Sequence, residues 1–155
     1  MRIYLETSVI NVLFDEKQKE MKEKTEKFFE LAKKRDYTLL VSDLVYTEIQ
    51  RAPLEKRQKI KKILSDLRPE RLDTTNEVLD LSNEYVKANL IPKSYRADAI
   101  HIAIAVTYEV DIIVSWNLRH IVRLKTIMGV NEINKKLEYP FILIVTPEEV
   151  IEWED

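Results

Sequence analysis

With 155 residues, 45% of them hydrophobic, the chain can bury one sizeable core but not two, so a single domain spanning residues 1–155 is expected. Cysteine is absent, which excludes disulfides and thiolate metal sites, and a formal net charge of -2 excludes a protein that coats nucleic acid through overall positive charge. The opening Met1-Arg2-Ile3-Tyr4-Leu5 meets a carboxylate at Glu6, and no apolar run approaches the ~18 residues of a membrane span; a soluble, cytoplasmic protein with no membrane partner is expected.

Short apolar runs bounded by polar turns read as strands at 3–5, 38–42, a marginal one around Leu72, 112–115 and 141–145. Between them lie helical patterns over 9–14, 17–35, 43–51, 54–67, 77–89, 95–109 and 130–137. This alternation predicts βαβ units, hence a three-layer α/β/α domain with a central, mostly parallel sheet of about five strands. Ser8 and Ser42 can cap the helices after them, and Thr74-Thr75-Asn76-Glu77 reads as a capping box. Arg68-Pro69 stops a helix, because proline restricts the residue before it. The stretch from Lys17 to Lys34 alternates acids and bases around Met21, Phe28, Phe29 and Leu31, as a surface helix burying one stripe does. Basic residues dominate between Arg51 and Arg71, either as a solvated face or as a clamp on a nucleic-acid backbone.

Four polar side chains stand beside these apolar runs: Glu6 after the first strand, Glu48 in the helix after the second, Asp98 in the first turn of its helix, and Asn117 after the fourth strand. Singly, each has a plain explanation: a solvated strand end, a helix residue paired with Arg51, a helix start, a turn. Jointly, they fall where parallel sheets bind ligands, beyond the carboxyl ends of the strands. If the first and fourth strands are neighbours, all four can face one cavity. Carboxylates gathered there repel and raise one another's pKa unless a cation joins them. Oxygen-only donors suit Mg²⁺ or Mn²⁺ better than zinc. Phosphodiester hydrolysis by bound divalent metal uses such a cluster.

The segments Tyr4-Leu5-Glu6-Thr7-Ser8-Val9, Ser42-Asp43-Leu44-Val45-Tyr46-Thr47-Glu48-Ile49, Asp98-Ala99-Ile100-His101-Ile102-Ala103-Ile104-Ala105 and Val114-Ser115-Trp116-Asn117-Leu118-Arg119-His120-Ile121, in this order, resemble the PIN domain of VapC toxins. The resemblance implies a Mg²⁺- or Mn²⁺-dependent endoribonuclease in which Glu6, Glu48, Asp98 and Asn117 hold the metal and activate water. It also implies RNA as substrate, an antitoxin protein as partner, and a homodimer. Glu6 stands where the family usually has aspartate, which keeps the charge and adds a methylene. Asn117 stands where a further aspartate is common, which removes a charge and lowers the expected metal affinity.

Ser8, Ser115, Arg119 and His120 are candidate substrate contacts, with capping, strand-end and ion-pair roles as the alternatives. His101, three residues after Asp98, reads as a hydrogen-bonded core histidine. Two other functions compete: a PIN-like RNA- or protein-binding module with a weakened, non-catalytic metal site, and metal-free cleavage by His101 and His120. A dinucleotide-binding enzyme is disfavoured, since one glycine cannot build a glycine-rich phosphate loop. Apolar residues Val9, Val12 and Leu13, or Val150, Ile151 and Trp153, either form a dimer face or close the core.

Overall fold

A computed structural model describes residues 1–154. Five strands, β1 (Arg2–Leu5), β2 (Thr38–Ser42), β3 (Glu70–Leu72), β4 (Ile112–Val114) and β5 (Leu143–Val145), form one sheet in the order β3-β2-β1-β4-β5. Every pairing is parallel, so the sheet is wholly rather than mostly so. The strand residues are apolar on both faces because helices cover both, as parallel sheets require. Among the described residues no helix is long and apolar enough to cross a membrane.

The helices are α1 (Thr7–Asn11), α2 (Lys19–Lys34), α3 (Asp43–Ile49), α4 (Leu54–Leu67), α5 (Asn76–Lys87), α6 (Arg96–Thr107), α7 (Leu124–Lys136) and α8 (Pro147–Glu154). One-turn 3-10 segments follow α1 at Val12–Phe14 and precede α6 at Lys93–Tyr95. Helix α5 packs on α6 and α7, while α2 packs on α8. Along α2 the buried side is Thr25, Phe28 and Ala32, a spacing that keeps one stripe inward.

Several boundaries differ from the sequence expectation; β5, for one, begins at Leu143 rather than at 141. Helix α7 starts at Leu124 rather than near 130 because its first turns present Leu124 and Met128 to solvent, which hides the helical period. Helix α8, which the apolar pattern does not announce, is started by a capping box in which Thr146 Oγ1 accepts the Glu149 amide and Glu149 accepts the Thr146 amide. Ser8 does not cap α1. Glu6 does, its carboxylate accepting the Ser8 amide at 2.8 Å. Ser42 caps α3 as expected, but the expected capping box over 74–77 is not formed: Thr75 caps α5, the Thr74 hydroxyl donates to Asp43, and Glu77 accepts the Tyr139 hydroxyl. Val9, Val12 and Val150 close the core, whereas Trp153 remains 72% exposed.

The single glycine shapes the chain in an unusual way. Helices commonly end on a left-handed residue, usually glycine. Here Asp36, Arg68, Asn89, Glu109 and Glu138 take that conformation instead, with φ between 49° and 62°. At Glu109 the following amide, of Val110, bonds back to the Ala105 carbonyl, so the turn is retained at the cost of a crowded Cβ. Exposed Glu109 makes no side-chain hydrogen bond among the described residues, so Glu109→Gly is expected to stabilise the protein by about 1 kcal/mol, read as a rise in the urea midpoint. An unchanged or lower midpoint counts against crowding at this turn. Gly129 itself lies inside α7, where a Cβ would collide with the Leu90 side chain. The chain uses its one glycine for close packing, not for a turn.

Candidate active site

The strand order reverses at β1, which pairs with β2 on one side and β4 on the other, with Leu5 opposite Val114. Such a switch point opens a crevice at the carboxyl ends of the strands, because the crossover helices leave in opposite directions. Glu6 leaves β1 there and donates its amide to the Val114 carbonyl at 3.1 Å. Trp116 leaves β4 beside it and donates its amide to Ser8 Oγ at 2.9 Å. The neighbouring of the first and fourth strands, on which the joint reading of the site depends, is therefore present.

Glu48 is carried on α3, capped by Ser42, and Asp98 lies in the first turn of α6, where the helix dipole favours its charge. Both acids are held by the chain's only two histidines. Glu48 Oε1 lies 2.5 Å from His101 Nε2 and accepts the Thr7 hydroxyl at 2.9 Å. Asp98 Oδ2 lies 2.9 Å from His120 Nδ1. In each case one carboxylate oxygen is engaged and the other, Glu48 Oε2 or Asp98 Oδ1, makes no hydrogen bond among the described residues. The expected pairing of Glu48 with Arg51 gives way to His101, although the Arg51 charge still acts on Glu48.

His101 is fixed from its far side by Tyr4, whose hydroxyl lies 2.6 Å from Nδ1 and 2.8 Å from Ser42 Oγ. An ionised carboxylate only accepts, so Nε2 carries the proton toward Glu48. Tyr4 was not singled out from sequence; a tyrosine in the middle of a central strand needs a buried partner, and that was the available signal. Tyr95 was also missed. Its ring lies 4.2 Å from that of His120.

Asn117 sits in the same region, but its Oδ1 accepts the His120 amide at 3.0 Å and so shapes the turn that presents His120. Ser115, wholly buried, accepts the Asn117 amide through its hydroxyl at 2.9 Å. Ser8 and Ser115 thus build the strand-end turns. Arg119 is exposed and lies over the Tyr95 ring. His101 is 1% exposed with both ring nitrogens bonded, which leaves it no atom for substrate and removes paired-histidine cleavage.

Electrostatics couple these groups. Burial pushes Glu6 above its ordinary 4.5, with the Glu48 charge adding to it and His101 and Ser8 opposing. Burial also raises Glu48, but the His101 hydrogen bond and charge, with Thr7 and Arg51, bring it below 4.5. Burial alone would depress His101; the Glu48 bond and the charges of Glu6, Glu48 and Asp98 reverse this and hold it above 6.5. His101 thus feels the charges of all three acids. The donor chemistry, carboxylate oxygens with one free on each of Glu48 and Asp98, fits a hard divalent cation. As the side chains stand, no three His, Asp or Glu groups among the described residues are arranged to hold an ion.

The linkage has a definite sign. The stabilisation from His101 is complete below 6.5 and lost as pH climbs through its raised folded value. Glu6 acts in the same sense, beginning from 4.5. Glu48 acts oppositely, complete above 4.5 and lost as pH falls through its lowered value. Urea unfolding of EDTA-treated protein should therefore show stability declining from pH 6.5 into alkaline solution, and His101→Gln should flatten that limb. A wild-type profile already flat there would contradict the coupling.

A doubly wound α/β domain with acids around the switch point of a parallel sheet is the class of protein that fold and site define. The sequence matches the PIN domain family model over residues 2–119, and the chain belongs to that family. Similar solved structures include VapBC2 from Rickettsia felis bound to a DNA fragment from their promoter, at 18% identity and TM-score 0.59, covering 94% of this chain and 98% of that one. DNA-bound VapBC from Salmonella typhimurium is similar at 16% identity and TM-score 0.57, covering 95% and 98%. At these identities the likeness speaks to fold. No curated protein matches the sequence.

Proposed function

We propose that this chain is a Mg²⁺- or Mn²⁺-dependent endoribonuclease of the VapC toxin type, cytoplasmic, homodimeric and partnered by an antitoxin protein. The observation that carries the reading is the pairing of each acid with a histidine through one oxygen only, at Glu48 with His101 and at Asp98 with His120. Hydrogen-bonded partners of this kind orient metal ligands. Glu6, Glu48 and Asp98 would hold the ion, with Asn117 contributing through the turn it shapes and through its remaining lone pair. When bound, the cation supplies Lewis-acid polarisation of the phosphoryl oxygen and a water of lowered pKa. The protein's part is to aim the acids: Thr7 and His101 fix Glu48 and favour its ionised form, and His120 fixes Asp98. The antitoxin partner is supported by the likeness to VapBC structures.

A second reading is a PIN-like RNA- or protein-binding module without catalysis, which the lack of a ready-made three-ligand group among the described residues favours. Calorimetric titration with Mg²⁺ and Mn²⁺, followed by RNA cleavage on the same samples, separates the two. Metal binding with EDTA-sensitive cleavage is the expected result. RNA binding without cleavage at any metal concentration transfers the chain to the second reading.

A further inference from the structure

Beside Asp98 lies a surface cluster that the metal site does not use. Tyr95, on the 3-10 turn that leads into α6, is 41% exposed. Its ring lies 4.2 Å from the His120 ring at 50°, and the Arg119 guanidinium lies 5.2 Å from its centroid. Lys93 and Arg96 flank Tyr95 in sequence, and Arg123 is tied to the Arg119 carbonyl at 3.0 Å. In a chain with 27 acids and 25 Lys and Arg, none of these four cations forms an ion pair among the described residues. The basic helix α4 offers charge too, but without an aromatic and without a link to an acid of the site.

We propose that Arg119, laid over Tyr95, binds a backbone phosphate flanking the scissile one in single-stranded RNA, and that Tyr95 is the positioning residue for it. The assignment rests on the ribonuclease reading of Asp98. A guanidinium resting on an aromatic face loses less freedom when it binds, and its coplanar N–H donors point outward in the fork that matches phosphate oxygens. The route to the acid is continuous: Arg119 on Tyr95, Tyr95 on His120, His120 on Asp98. The surplus of positive charge sits where the substrate's negative charge must arrive, in a protein whose overall charge would repel it.

The test is anisotropy of a labelled single-stranded oligoribonucleotide in EDTA over a KCl series, with Mg²⁺-dependent cleavage measured separately. Arg119→Ala is expected to weaken binding about 10-fold at low salt and to make the log–log salt slope shallower by about 0.7. Tyr95→Leu should weaken binding with the slope unchanged, because the charge remains and only its placement is lost, whereas Tyr95→Phe should bind like wild type. Lys61→Ala combined with Lys62→Ala, on exposed α4, should also bind like wild type. Equal affinity and slope for Arg119→Ala and wild type, or no binding by wild type, overturns the proposal. Normal wild-type cleavage with an unaffected Arg119→Ala leaves the nuclease standing and removes Arg119; Arg119-dependent binding with no cleavage in any metal removes the nuclease and keeps the phosphate site.

Discussion

Asp98→Ala is expected to lower metal-restored RNA cleavage at least ~100-fold, since even loss of an outer partner of a metal ligand costs up to that much. Folding should change little by comparison. The Asp98 side chain is 18% exposed and lies at a helix start, where its charge contributes roughly 0.3–1 kcal/mol. Asp98→Asn sharpens the result: an amide oxygen can still accept from His120 Nδ1, so geometry is kept while the negative charge is removed. If charge toward a cation is what matters, the asparagine variant should be nearly as inactive as the alanine one, with metal affinity reduced in calorimetry. Cleavage by Asp98→Ala within a few-fold of wild type would sink the assignment of Asp98 to the chemistry.

Phe28→Ala should give the largest loss of stability, about 3–5 kcal/mol, because a wholly buried aromatic is replaced by a cavity under the inward face of α2. For a chain of this length that corresponds to a fall of roughly 6–20 °C in Tm. The effect should reach the site. Thr25, one turn before Phe28, accepts the Trp116 indole N–H at 2.8 Å, so a loosened α2 also loosens the turn after β4. Calorimetric melting of the variant measures the first effect, and its metal affinity the second. A fall in Tm under about 3 °C would mean that α2 collapses onto the gap without cost.

Much of the architecture was legible before any coordinates. The apolar runs at β1, β2 and β4 and the cap Ser42 appear where local patterning puts them, because apolar runs and cap side chains act over a few residues. The meeting of the turn after β1 with the turn after β4 was legible only as a conditional. It required β1 and β4 to be neighbours, a pairing between residues more than a hundred positions apart that no local pattern encodes. The extents of α7 and α8 were not legible from hydrophobic period, since the first turns of α7 expose leucine and methionine and α8 exposes Trp153.

By itself, the sequence determined the class of fold, the inventory of oxygen donors and the absence of thiolates, because these follow from periodicity and residue chemistry. Only the tertiary structure decided how those donors are employed. It made Glu6 a cap as well as a candidate ligand, gave each remaining acid a histidine, turned Asn117 toward a backbone amide, and laid Arg119 across Tyr95. The reason is that a hydrogen bond is settled within about 3 Å and by direction. Side-chain identity alone specifies neither; that comes from the sheet order and the helices that bring remote segments to one edge.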